Sequence, residues 1–135
     1  MDYMFLIYAD EAKREEMTPE RKASSINRSW AVIDEATARG VFKGARPLES
    51  TRAAFTARDR HGKIGITDGP FAETKEALGG YYIIDCADLE DARYWAGRLA
   101  QTGCGASIEF RPLRAIPQRQ DTIAPENEVA STVNA

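Results

Sequence analysis

The run Tyr3-Met4-Phe5-Leu6-Ile7-Tyr8 is apolar or aromatic at every position. In an extended strand Tyr3, Phe5 and Ile7 point one way and Met4, Leu6 and Tyr8 the other. A strand with one wet face would alternate with charge, so this one calls for cover on both sides. Fully burying a large apolar side chain is worth roughly 1.5–3 kcal/mol, and a sheet bearing such strands does not leave either face in water.

The rest of the chain limits what that cover can be. A helix is expected after the first strand, with Thr18 as N-cap, Pro19 at the first helical position and Gly40 past its end. Ile26, Trp30, Ile33 and Thr37 fall at helical spacing and make its expected buried stripe. From Val41 to Thr67 the period shortens, giving strand candidates at 41–45, 53–57 and 63–67. Arg58-Asp59-Arg60-His61-Gly62 has the polar and glycine content of a hairpin turn. Gly79 to Cys86 reads as a central strand, and Asp88 caps a second helix with Leu89, Ala92, Trp95 and Leu99 inside. Ser107 to Ile116 is the last strand, and residues 117–135 read as a disordered polar tail after a domain spanning 1–116.

Helices separating strands in this order give an α+β fold, the split βαβ or ferredoxin-like sheet with both helices on one face. The other face stays bare although its residues are apolar. The simplest cover is an identical sheet, so a homodimer through the open face is expected, with a different protein as the rival partner.

Composition excludes several classes. The net charge is −3 and the pI about 5.3, which gives no general attraction to nucleic acid or anionic membranes. The apolar opening has no basic leader and stops at Asp10-Glu11, so it does not read as a secretory signal, and a cytoplasmic location is expected. No stretch is long enough to span a bilayer. Cys86 and Cys104 match no metal spacing and His61 is the lone histidine, so neither metal nor cofactor is expected.

One segment is richer than folding requires: Asp68-Gly69-Pro70-Phe71-Ala72-Glu73-Thr74-Lys75-Glu76, then Gly79-Gly80-Tyr81-Tyr82. Its structural reading is a turn, with Asp68 bonding backbone, Gly69 and Pro70 setting dihedrals and Phe71 anchoring the loop in the core. Its functional reading is a polar-ligand site, or acid/base chemistry using Asp68 with Glu73 or Lys75. Phe71 and Tyr82 would border such a site. Arg46, Glu109 and Arg111 are secondary candidates, because Glu109 and Arg111 share one face of the last strand. Trp30 and Trp95 read as core residues.

Asp68-Gly69-Pro70-Phe71 is the run after which the DGPF branch of the YCII-related family is named. Glu73 to Glu76, Gly79 to Tyr82, the opening Tyr3 to Tyr8 with Asp10-Glu11, and Ile108-Glu109-Phe110-Arg111-Pro112-Leu113 are also similar to that family. The resemblance covers residues 1 to about 116. It implies a dimeric α+β barrel of ferredoxin-like subunits, and for bacterial members a link with alternative sigma factors, hence a regulatory or stress setting. It implies little about chemistry. Other branches carry a His on the first helix and an Asp near the second as a proposed dyad. Here the first helix offers Ser24, Ser25, Asn27 and Ser29, and the second closes Trp95-Ala96-Gly97-Arg98-Leu99-Ala100, so the dyad does not carry over.

Three functions remain open on these residues. The first is a homodimer binding a small polar molecule. The second is a small lyase- or isomerase-like enzyme using Asp68. The third is an RNA-recognition module, disfavoured by acidic charge and by Ile83 and Cys86 where stacking aromatics would be wanted.

Overall fold

The structure, a computed structural model, describes residues 1–121. It divides into two compact units, Met1–Ser50 with Glu73–Arg114, and Thr51–Ala72 with the stretch from Ala115. The expected tail lies outside the described residues from 122 onward.

In the first unit the elements are β1 (Asp2–Ala9), α1 (Glu11–Glu15), α2 (Pro19–Ala38), β2 (Phe42–Pro47), then β5 (Ala77–Asp85), α3 (Leu89–Ala100) and β6 (Ser107–Pro112). Strands β3 (Phe55–Arg60) and β4 (Lys63–Asp68) belong to the second unit. The main sheet runs β2-β5-β1-β6 with every neighbouring pair antiparallel, the order of a ferredoxin-like α+β sheet. The β3–β4 hairpin makes a two-stranded sheet of its own.

The helix limits follow from local chemistry. The Thr18 hydroxyl accepts from the Arg21 amide at 3.2 Å and Pro19 opens α2, while Gly40 takes a φ of 73° just past its end. Asp88 and Asp91 cap α3 reciprocally. The Asp88 carboxylate accepts from the Asp91 amide at 2.9 Å, and the Asp91 carboxylate accepts from the Ala87 amide at 2.9 Å. A cap of this kind contributes about 1 kcal/mol. Glu35 of α2 joins the two helices by accepting from the Tyr94 hydroxyl and from Arg98 at 3.0 Å, with Arg39 at 2.8 Å. The Tyr94 hydrogen bond, then the two guanidinium groups, hold its carboxyl below the usual carboxylate range.

Both helices lie against the face carrying Tyr3 and Phe5 of β1 and Tyr82 and Ile84 of β5, where Val32, Ala36, Trp95, Leu99 and Cys86 complete the core. Phe110 stacks on Phe5 at a ring separation of 5.8 Å. Four positions of the expected helical stripes are exposed rather than buried: Ile26, Trp30 and Thr37 of α2 and Leu89 of α3. Trp30 and Ile26 are more than half exposed, because α2 turns its small residues Ser25, Val32 and Ala36 inward. Of the expected α2 stripe only Ile33 packs against the core, beside Val32 and Ala36. Leu89, at the first turn of α3, is also largely exposed.

Candidate functional site

Strand register decides which residues share a surface. Arg46 of β2 pairs with Tyr81 of β5, Tyr81 with Leu6 of β1, and Leu6 with Glu109 of β6. One row thus crosses all four strands on the face opposite the helices, since directly paired residues point the same way. The next row carries Gly44, Ile83, Met4 and Arg111. Met4, Leu6, Tyr8, Tyr81 and Ile83 are half-buried along the centre, whereas Arg46 at one edge and Glu109 and Arg111 at the other are exposed.

The open face is therefore apolar in the middle and charged at both rims. Arg111 Nε lies 3.2 Å from a Glu109 carboxylate oxygen, so these two pair with each other. That pair is exposed and contributes at most about 1 kcal/mol. Arg46 is held by one guanidinium hydrogen bond to its neighbour's Ala45 carbonyl at 2.7 Å. Its remaining donors point to no carboxylate among the described residues.

Tyr82 occupies a different place from the one expected of it. Its ring lies in the helix-side core at 8 % exposure, and burial pushes its hydroxyl pKa up. It is a packing residue, and Tyr81 is the tyrosine on the open face. Alternation along β5 held that signal: residue 81 shares parity with the positions opposite Arg46 and Leu6, and residue 82 does not.

The Asp68 segment divides at Ala72. Asp68 and Phe71 belong to the hairpin unit, and Glu73 and Lys75 to the sheet unit. Asp68 ends β4, exposed, and pairs across the hairpin with Phe55. Gly69 takes a φ of 94°, its amide donates to the Ala54 carbonyl at 2.8 Å, and its carbonyl accepts from the Thr56 hydroxyl at 2.9 Å. The Gly69 dihedral read from the sequence is thus present, whereas the Asp68 carboxylate makes no hydrogen bond to backbone among the described residues. The expected anchor is absent: Phe71 is 81 % exposed rather than buried in the core. Glu73 and Lys75 are exposed loop residues, and the Thr74 hydroxyl donates to the Glu76 carbonyl at 2.5 Å. His61 sits at the hairpin tip with a φ of 56°, in keeping with a turn role.

Two clefts lie on the helix side of the first unit. One of about 590 Å³ is lined by Arg28, Ala31, Arg98, Ala100, Gln101 and Gly103; the other, about 470 Å³, includes Lys13, Glu16, Arg21 and Cys104. None of the candidate site residues expected from the sequence lines either. Among the described residues no cluster of His, Cys, Asp and Glu is arranged to hold a metal ion, and no helix is long and apolar enough to cross a membrane.

The YCII-related domain matches residues 1–114. The chain belongs to the YCII-related family. An uncharacterised protein of Rhizobium meliloti (strain 1021) is 37 % identical over 120 residues, covering 84 % of this chain and 92 % of that protein. The ferredoxin-like sheet of this YCII-related chain is thus the family's domain, and both rims of the open face fall within the matched span.

The two thiols of the YCII-related domain differ sharply. Cys86 is fully buried, and burial followed by the nearby Asp91 and Asp85 carboxylates pushes its pKa up to about 11. Cys104 is half-buried in the turn after α3. The thiolate is the reactive form. At pH 8 a maleimide is expected to label Cys104 alone in the native protein, with Cys86 reacting only after denaturant is added. Two native-state thiols reacting at similar rates would contradict this placement.

Proposed function

We propose that the protein is a homodimer closed through the open face of the four-stranded sheet, and that it binds a small polar molecule there. The observation that carries this is the row Arg46–Tyr81–Leu6–Glu109 with Arg111 alongside. An apolar strip flanked by guanidinium and carboxylate groups excludes water at its centre and supplies directional donors and acceptors at its ends, the usual make-up of a ligand site. Facing two such sheets encloses the strip and brings two copies of each rim together. The Asp68-Gly69-Pro70-Phe71 run supports assignment to the DGPF branch. A cytoplasmic regulatory or stress setting linked with alternative sigma factors rests on that resemblance. Asp68 acting as an acid or base is not favoured, since its carboxylate stands exposed at the end of a strand.

The test has two arms. Light scattering at micromolar concentration is expected to give twice the chain mass, and Leu6→Glu to give a folded monomer. Thermal shift against a panel of small carboxylic acids, phosphates and amines is expected to find a stabilising compound whose effect is lost in Arg46→Ala and weakened in Tyr81→Phe. A wild-type monomer removes the dimer, and a shift that survives Arg46→Ala removes the site.

A further inference from the structure

The helix side of the first unit gathers cations in excess of its carboxylates around one turn. Lys13 of α1 and Arg21 of α2 line one cleft, and Arg28 of α2 lines the other. Gly103, in the turn after α3, borders both. Among the described residues Lys13, Arg21 and Arg28 form no ion pair. Glu16 is the one carboxylate lining either cleft, and the fourth cation, Arg98, is held by Glu35 at 3.0 Å. On a chain of net charge −3 such a group stands out from the rest of the surface. Arg21 and Arg28 share one face of α2 because they lie two helical turns apart, about 10 Å along its axis.

We infer that these residues bind the phosphate group of a small organic phosphate ester. The turn supplies part of the site. Gly103 takes a φ of 93° and Gly105 one of 67°, and the amides of Gly103, Cys104 and Gly105 make no hydrogen bond among the described residues. Successive unpaired amides in a turn suit an anion. Gly103 also makes room for Arg28, since a Cβ there would lie 3.3 Å from the Arg28 Nη1. That nitrogen donates to the Gln101 carbonyl at 3.4 Å, which holds the guanidinium beside the turn and leaves its other donors for a ligand. A bare helix C-terminus would repel an anion, but the end of α3 is covered. The Gly97 and Arg98 carbonyls accept from the Gln101 amide, and the Leu99 carbonyl accepts from the amide and hydroxyl of Thr102.

Charge and lining select the ligand class. Lys13, Arg21 and Arg28 against Glu16 leave an excess of two positive charges. A phosphate monoester carries about −1.5 to −2 near neutral pH and matches that excess, whereas a single carboxylate does not. Guanidinium groups also meet phosphate oxygens bidentately. Met17 and Cys104, half-buried in the same cleft as Lys13 and Arg21, give the organic part of an ester an apolar wall that inorganic phosphate cannot use. At about 470 and 590 Å³ the two clefts have the usual size of small-molecule sites.

This site is separate from the open face and needs no second copy. The test follows the backbone amides of the isotope-labelled full chain by two-dimensional NMR. Glycerol 3-phosphate and inorganic phosphate are titrated in turn, with sodium chloride at matched ionic strength as the reference. The amides of Gly103, Cys104 and Gly105 are expected to move with millimolar glycerol 3-phosphate, while those of Arg46 and Tyr81 stay. The dissociation constant is expected to rise at least about tenfold in each of Arg21→Gln and Arg28→Gln. Shifts that sodium chloride reproduces, that survive both arginine substitutions, or that fall on Arg46 and Tyr81 instead overturn the proposal. Inorganic phosphate binding as tightly as the ester overturns the organic ligand. Because Arg28→Gln also removes a hydrogen bond at the end of α3, Lys13→Gln combined with Arg21→Gln decides should that variant lose its fold. Neither of those side chains makes a hydrogen bond or ion pair among the described residues, and undiminished binding in the pair overturns the site.

Discussion

Trp95→Ala is expected to remove about 3–5 kcal/mol of folding stability, the usual loss for a large aromatic deleted from a core. Trp95 is 1 % exposed, sits at the centre of the helix-side cluster, meets Tyr94 edge to face at 5.2 Å and lies under the Arg39 guanidinium at 5.3 Å. Its removal opens a void that Val32, Ala36 and Ala92 are too short to refill, and each lining atom loses its contacts outright. Set against a typical total of about 5–15 kcal/mol, the loss leaves a marginal or unfolded chain. Trp30→Ala is the control. That side chain is 57 % exposed, and a surface truncation is expected to stay within about 0.5 kcal/mol of wild type. Urea melts followed by far-UV circular dichroism, which does not rely on either indole as reporter, measure both. Similar losses for the two tryptophans would mean that α2 packs through a different stripe.

The contrast between those tryptophans shows what the sequence makes legible. Helical spacing located α2, and Thr18, Pro19 and Gly40 fixed its ends through local hydrogen bonding and dihedral preference. The inward stripe was a different matter. Ile26 and Trp30 outweigh Ser25 and Ala36 in hydrophobicity, but α2 meets the core through Ser25, Val32 and Ala36 with Ile33 beside them, and that choice depends on a partner distant in sequence. The same limit applies to Tyr81 and Tyr82. Alternation says that they face opposite ways, and only the placement of the helices says which one is inside. An aromatic ring in a turn suggests an anchor, yet whether a pocket receives it is set by residues distant in the chain, and Phe71 stays exposed. The strands from Phe55 to Asp68 were visible as a hairpin from Arg58 to Gly62. Their separation from the main sheet was not, because the composition of a strand does not name the strand it pairs with. Glu109 and Arg111 were legible as sharing one face, since period-two geometry is local.

Gly80→Ala is expected to lower the melting temperature and to loosen β2, while Gly79→Ala beside it does neither. A Cβ on Gly80 would lie 2.9 Å from the Arg46 carbonyl oxygen and 3.2 Å from the Pro47 Cα, both of them backbone atoms that no rotamer change can move. Overpacking of this kind costs about 1–3 kcal/mol. Strand β2 is at the edge of the sheet and pairs only with β5, so the least costly relief is for β2 to shift away, carrying Arg46 with it. Gly79 is the extra residue where the β1–β5 register slips between Ile7 and Tyr8. A Cβ there meets only the Ile7 carbonyl oxygen at 3.7 Å, an ordinary contact, and the lower chain entropy of alanine in the unfolded state offsets what little strain remains. Hydrogen exchange at the β2 amides separates the two variants: faster exchange in Gly80→Ala with β6 unchanged is expected, and equal protection in both would refute the steric account. The ligand panel adds a functional reading of the same change. Because Arg46 and Tyr81 are direct cross-strand neighbours, displacing β2 should abolish a stabilising ligand's shift in Gly80→Ala and spare it in Gly79→Ala. In the Gly79-Gly80-Tyr81-Tyr82 run, then, one glycine absorbs a bulge and the next admits the edge strand, and the two tyrosines that follow are divided between the open face and the core.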